Sequence, residues 1–344
     1  MHDPGSGDSD DSAELRMSGG TMHAIVRRRY GTPDVLTYEE IARPVPGEHD
    51  VLVRVFAAGA SIGDYHIVTG KPYVIRPSIG GLFRPKQQVP GSAMAGCVEA
   101  VGAKVTMLRA GDAVFGETTS GAFAEYVVVR ADRLASKPRN QSFEEAAATP
   151  WAVTPLQALR DAGGVKRGHR VLINGASGGV GSWGVQIAKA FGAHVTAVCS
   201  TRNLARVRAL GADDVIDYTT TDFVTDGPRF DLMLDTVGNR SLSDCRRVLV
   251  PTGTFVSTSG GKSGTRWLLR LAAMLLISRF STTTLKPFIV SLNQKDLLAL
   301  TELIEAGKIK PAIDRRYALR DTANALRHVG EGHAQGQTVI QVSS

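Results

Sequence analysis

The residues with the plainest chemistry lie in Arg170 to Gly181, RVLINGASGGVG, where an apolar run breaks into glycines. Their spacing suits a phosphate cradle. Gly175 lets a strand stop and reverse, Gly178 lets backbone approach a ligand with no Cβ in the way, and Gly181 lets the next helix pack closely on a sheet. Ser177, Gly178, Gly179, Val180 and Gly181 would then open a helix whose free N–H groups face a pyrophosphate. About 20 residues further on, where an acidic residue would hold an unmodified ribose 2′-hydroxyl, the chain reads Cys199, Ser200, Thr201, Arg202. Hydroxyls and a guanidinium suit a 2′-phosphate, through charge-assisted hydrogen bonds. A plain strand-turn-helix and a solvated Arg202 are the bland alternatives.

These residues need a sheet to hold them. Val171, Leu172 and Ile173 read as a short buried strand, and Trp183, Ile187, Ala188 and Phe191 recur at helical spacing. His194 to Ser200, Val215 to Tyr218, Phe230 to Val237 and Gly253 to Ser259 predict further strands, with helices over Asn203 to Leu210 and Ser241 to Leu249 between them. Strand-helix alternation at this spacing demands a parallel sheet with right-handed crossovers, doubly wound, and so an α/β class. A dinucleotide then sits at the carboxyl edge of the strands, and the hydroxyls and Arg202 make NADPH the expected cofactor. Tyr218 stands beside the adenosine end or covers the sheet edge. Val237 and Gly260 close strands where ribose and nicotinamide would pass.

Before about Trp151 the pattern changes to short strands with frequent Gly and Pro, including Asp50 to Ala57, Gly96 to Val101, Ala113 to Phe115 and Ala124 to Val129. That predicts a compact β domain. A possible strand at Leu285 to Val290, helices over Lys295 to Ala306 and Asp321 to Gly330, and a strand at Thr338 to Val342 complete a tail that returns to the first domain. The expected division is a disordered leader over 1–21, a first domain from 22–150 with 288–344, and a dinucleotide domain over 151–287. Met22 is a plausible true start.

Composition bounds the function class. The chain has 344 residues, 43% of them apolar and 21% charged, as in an ordinary soluble protein. The greasiest stretch, Trp267 to Ile277, is broken by Arg270 and is too short to span a bilayer. No secretory signal is seen, so the expected location is cytoplasmic. Five acids and one arginine precede Met22, so taking that net charge of −4 from the total of +7 leaves +11 on the body. Such a body attracts polyanions, NADPH among them, but no basic block predicts a specific nucleic-acid partner. Cys97, Cys199 and Cys245 are scattered and form neither a disulfide framework nor a structural zinc site.

The order of β domain, AxGGxG sheet domain and returning tail resembles the medium-chain dehydrogenase/reductase superfamily. The closest branch is the quinone oxidoreductase (zeta-crystallin-like) family, whose long signature is similar to Gly168 through Lys189, with Leu172, Ala176 to Gly179, Gly181 and Gln186. The opening MHAIVRRRYGTPDVL, the stretches GDAVFG, GAFAEYVVV and GADDVIDY, and the late EAGKIKP are also similar to it. The resemblance implies a GroES-like β domain beside a Rossmann-type sheet, and a homodimer through the sheet edge that would bury Ser241 to Ser259. Zinc-dependent members place ligands at the equivalents of Ser61, Ser92, Ala93 and Pro150. The hydroxyl, methyl and proline side chains here cannot supply them, so no metal is expected.

The resemblance also places the loop Gly59 to His66, GASIGDYH, beside the nicotinamide. Ser61, Tyr65 and His66 could give a hydrogen bond or proton to a developing enolate, or be pocket wall. Asp64 would anchor the loop. Thr154 matches a threonine near the ring, with a helix cap as its alternative. Without a Lewis acid, hydride delivery to a quinone or α,β-unsaturated carbonyl is the easiest chemistry, because the acceptor itself delocalises charge. An enoyl-thioester reductase, a low-turnover NADPH sensor and an RNA-binding relative are the competing functions. The apolar, arginine-rich segment Gly261 to Phe280 could line a hydrophobic acceptor pocket, form a dimer contact or lie on a membrane.

Overall fold

The computed structural model describes residues 20–77, 79, 81–225, 230–259, 264–332 and 334–343, with the backbone alone for 264–268. Gly260 and almost all of the acidic leader lie outside the described residues, as does most of 261–268 beyond its helical backbone.

The first part of the chain is built from strands. β1 (Thr21–Arg27) and β2 (Leu36–Ala42) form a hairpin-like antiparallel pair, followed by β3 (Asp50–Ala60), helix α1 (Ile62–Thr69), β4 (Ala93–Val101), β5 (Ala113–Glu117), β6 (Tyr126–Arg130), β7 (Leu134–Ser136) and helix α2 (Phe143–Ala148). β3 pairs antiparallel with both β4 and β6, and its alternate residues Val51, Val53 and Val55 are fully buried. At its end Gly59 meets the domain crossover closely, since a Cβ there would lie 2.7 Å from Trp151 Nε1 and 2.8 Å from the Ala147 carbonyl.

The crossover runs through α3 (Val153–Gln157) and a π-helical turn at Ala158–Ala162 into a second sheet. Its strands are β8 (Arg170–Asn174), β9 (His194–Cys199), β10 (Asp214–Asp217), β11 (Phe230–Asp235), β12 (Leu249–Ser257) and β13 (Thr284–Pro287). Helices α4 (Gly179–Ala190), α5 (Leu204–Ala209), α6 (Leu242–Arg247) and α7 (Gly264–Arg279) connect them. All pairings are parallel and the order is β10-β9-β8-β11-β12-β13. The doubly wound order reverses between β8 and β11, so a crevice opens beyond their carboxyl ends. β8 shows why its run had to be continuous: Val171 and Ile173 enter one core with Trp183, while Leu172 enters the core on the other face.

The tail returns through α8 (Gln294–Glu305), β14 (Ile313–Ala318), α9 (Thr322–Gly330) and β15 (Gln337–Gln341), with β15 joining β3 and β14 forming the sheet's other margin. The molecule is thus α/β, with a GroES-like domain and a Rossmann-type parallel sheet. Three expectations need correction. GASIGDYH is not a loop throughout, because its last five residues open α1. Ser241 to Ser259 lies one strand in from the margin, since β12 sits between β11 and β13, and the two margins of this sheet are β10 and β13. The strand expected at Leu285 to Val290 within the returning tail is instead β13, Thr284–Pro287, and it pairs with β12 in this second sheet.

Candidate functional site

The cradle forms at the reversal point. Gly175 has φ +84°, and a Cβ there would lie 2.4 Å from Thr236 Oγ1, while one on Gly181 would lie 2.1 Å from the Gly175 carbonyl. Both positions are closed to any side chain. Gly178 and Gly179 differ, because a Cβ on either would make only ordinary contacts at 3.5 and 3.6 Å, which leaves their outer faces to a ligand. Gly178 is the N-cap of α4 and offers no side chain to the first turn, so the N–H groups from Gly179 through Gly181 have no side-chain cap. Gln337 of β15 donates to the Gly179 carbonyl at 2.7 Å, tying the cradle to the returning tail.

Beside the cradle, Ser200 and the 3-10 turn Thr201–Asn203 follow β9. Asn203, which the sequence did not single out, is buried and donates to Ser177 Oγ at 3.0 Å and Ser200 Oγ at 3.2 Å. Arg202 is exposed and Tyr218 is 54% exposed, one residue past β10. A carboxylate does stand close by, from the next strand rather than from β9. Asp217 accepts from the Thr201 and Thr219 hydroxyls, which hold its carboxyl below the ordinary range.

On the other side of the crevice, fully buried Asp235 accepts from Asn174 Nδ2 at 3.0 Å and from the backbone N–H groups of Val237 and Gly238. Arg270 of α7 completes this group with an ion pair at 3.4 Å to Asp235 and a 2.7 Å bond to the Arg240 carbonyl. Val237 itself is 45% exposed at the crevice rim. A polar residue closing an apolar strand, as Asn174 and Asp235 do, was the available signal for this network.

The GroES-like domain contributes Ser61, the N-cap of α1. Its Oγ accepts from the Asp64 N–H and donates to Asp64 Oδ2 at 2.8 Å, a capping box written in the sequence as S-x-x-D. Ser92 Oγ donates to the other carboxylate oxygen at 3.1 Å. Asp64 is fully buried, and burial pushes its carboxyl up to about 6 against these hydrogen bonds. Glu117, opposite Ala93 on β5, is also buried and is pushed up to about 8 by desolvation, with the Asp64 charge adding to the shift. His66 is half-buried, burial lowers its imidazole below the ordinary value, and its Nδ1 is buried without a partner. Tyr65 turns its ring onto α9, where a Cβ on Gly330 would strike it at 2.4 Å. Thr154 lies inside α3 and is half-buried; the N-cap there is Ala152, so Thr154 is not a cap.

The cradle fits a nicotinamide dinucleotide: open faces at Gly178 and Gly179, an uncapped helix start, and the buried, unpartnered Asn203 Oδ1 all await a polar ligand. A catalytic zinc does not fit. The Ser61 and Ser92 hydroxyls are directed to Asp64, Pro150 has no donor, and among the described residues no three His, Cys, Asp or Glu converge on one point.

Comparison with known proteins agrees with this geometry. Residues 47–139 match the alcohol dehydrogenase GroES-like domain, and residues 210–340 match a model described as zinc-binding dehydrogenase. The chain is 32% identical over 339 residues to the chloroplastic quinone-oxidoreductase homolog of Spinacia oleracea, covering 94% of this chain and 100% of that protein. It is 31% identical over 325 residues to 2-methylene-furan-3-one reductase of Solanum lycopersicum, covering 90% of this chain and 76% of that one. Among solved structures, the quinone oxidoreductase from Coxiella burnetii superposes with a TM-score of 0.81 at 28% identity, over 94% of this chain and 100% of that one. The fold, the glycine cradle and these likenesses together show that the chain belongs to the medium-chain dehydrogenase/reductase superfamily, as an oxidoreductase of its zinc-free, quinone oxidoreductase-like branch.

Proposed function

We propose that this oxidoreductase takes NADPH and reduces a quinone or an α,β-unsaturated carbonyl of hydrophobic character. The reading is supported by an open glycine cradle in one domain together with a GroES-like domain in which the Ser61 and Ser92 hydroxyls serve a carboxyl rather than a metal. In this reading residues 151–287 hold the cofactor, and residues 22–150 with 288–344 hold the acceptor. The backbone N–H groups of Ser177, Gly178, Gly179, Val180 and Gly181 bind the pyrophosphate; Ser200 and Arg202 favour a 2′-phosphate, and Tyr218 covers the adenosine. Val237 borders the path toward the nicotinamide, and Gly260 is proposed for the same stretch. Thr154 helps to fix the ring face.

Bound there, reduced nicotinamide supplies a hydride. For an enone the hydride goes to the β-carbon, the electron pair moves to the carbonyl oxygen, and a proton then reaches the α-carbon; a quinone takes hydride and proton to become a hydroquinone. Ser61, Tyr65 and His66 are the proposed sources of that proton. Ser61 gives its hydroxyl proton to Asp64 Oδ2, so as a source it would have to turn that proton to the acceptor and take another from Asp64.

A homodimer is proposed through the free margin of β13, beside which Leu269, Leu275, Leu276, Phe280 and Ile289 are exposed. No helix among the described residues is long and apolar enough to cross a membrane, and a cytoplasmic location is proposed. The cofactor reading is tested with Arg202→Ala: affinity for NADPH should fall about tenfold, as expected for loss of a charge-assisted phosphate contact, and affinity for NADH should change little. Equal losses for both cofactors would remove the 2′-phosphate assignment.

A further inference from the structure

Building on the NADPH reading above, we infer that Asn203 is a positioning residue that sets phosphate preference by aiming the hydroxyl protons of Ser177 and Ser200 at a 2′-phosphate. Asn203 is 4% exposed, and its amide nitrogen donates to both serine oxygens, one from the loop after β8 and one from the end of β9. A hydroxyl has one proton and two lone pairs. With the amide N–H on a lone pair of each serine, both O–H protons are free to donate outward. A phosphate, an acceptor only and negatively charged, takes two such donors best. A ribose hydroxyl gains less.

The neighbours sharpen this division. Thr201 gives its hydroxyl proton to Asp217 and so is directed away from an anion, which separates it from Ser200 although the two are adjacent in sequence. Among the described residues Asn203 makes no hydrogen bond to a carboxylate. Its Oδ1 is buried with no hydrogen-bond partner, so Asn203 acts on the two serines through its amide nitrogen. The ligand that satisfies both serines carries an acceptor-only phosphate, as an adenosine 2′-phosphate does.

The test is calorimetric titration of the full chain with adenosine 2′,5′-bisphosphate and with 5′-AMP. Wild type should bind the bisphosphate more tightly. Asn203→Asp keeps the shape but replaces the amide donor by a carboxylate, which takes both serine protons and repels phosphate. Bisphosphate affinity should then fall about tenfold or more, with 5′-AMP affinity changing less than about twofold. Ser177→Ala with Ser200→Ala should abolish most of the preference without disturbing a buried residue, and serves equally if the Asp variant does not fold. Preference retained in either variant, or equal losses for both ligands, would overturn the role of Asn203. A wild type that does not prefer the bisphosphate would overturn the NADPH reading itself and this inference with it.

Discussion

Glu117 and Asp64 are carboxyls that folding takes out of water without a cation close enough to restore their ordinary acidity. Glu117 holds its proton to about pH 8 in the folded chain, against 4.5 when unperturbed, so between those values the folded form binds more protons than the unfolded one. Stability therefore falls as pH rises through this window and levels off above it. Asp64 shifts the same way but only to about 6, so the interval from about 6 to about 8 belongs to Glu117. Glu117→Gln should melt several degrees higher than wild type at pH 8 and nearly with it at pH 5, each pKa unit being worth about 1.4 kcal/mol. Parallel melting curves across the range would show that Glu117 is ionised throughout. The capping role of Asp64 was legible in S-x-x-D; the burial of Glu117 was not, because it depends on the crossover packing over β5.

At the scale of elements, the strands of the second sheet were legible and β14 of the returning tail was not. β8 is a continuous apolar run because both of its faces are covered, and that pattern is visible in a sequence. β14, IDRRYA, has no fully buried residue and no alternation to find. α7 illustrates the opposite ambiguity. Its segment is apolar nearly all round, and only the structure tells the inner face, with Met274 buried, from the exposed Leu269, Leu275 and Leu276. Arg270 docks that helix by pairing with Asp235, a carboxylate with no exposure. Arg270→Ala should leave Asp235 without its cation and lower stability by about 2 to 4 kcal/mol in a denaturant titration. A change within the error of the titration would mean that Asn174 and the two backbone donors suffice to hold Asp235.

Across the whole molecule, two chain crossings and a set of side-chain bonds join the two sheets around the crevice. Gln186 exchanges hydrogen bonds with the backbone of Lys310, and Gln337 reaches the cradle at Gly179. The exposed side of α7 and the margin of β13 are the proposed seat of a second copy. Light scattering should give twice the chain mass, and Leu276→Asp with Phe280→Asp should give the single mass; an unchanged mass in that variant would place the contact elsewhere. Hydride chemistry without a metal is decided by one assay, in which chelator-treated protein is given NADPH and a panel of quinones, enones and enoyl thioesters, and the loss of reduced-nicotinamide absorbance is followed. Acceptor-dependent oxidation with a quinone or enone, unchanged by chelation, is the predicted result. Tight NADPH binding with no oxidation by any acceptor, or turnover that appears only when zinc is restored, would contradict it.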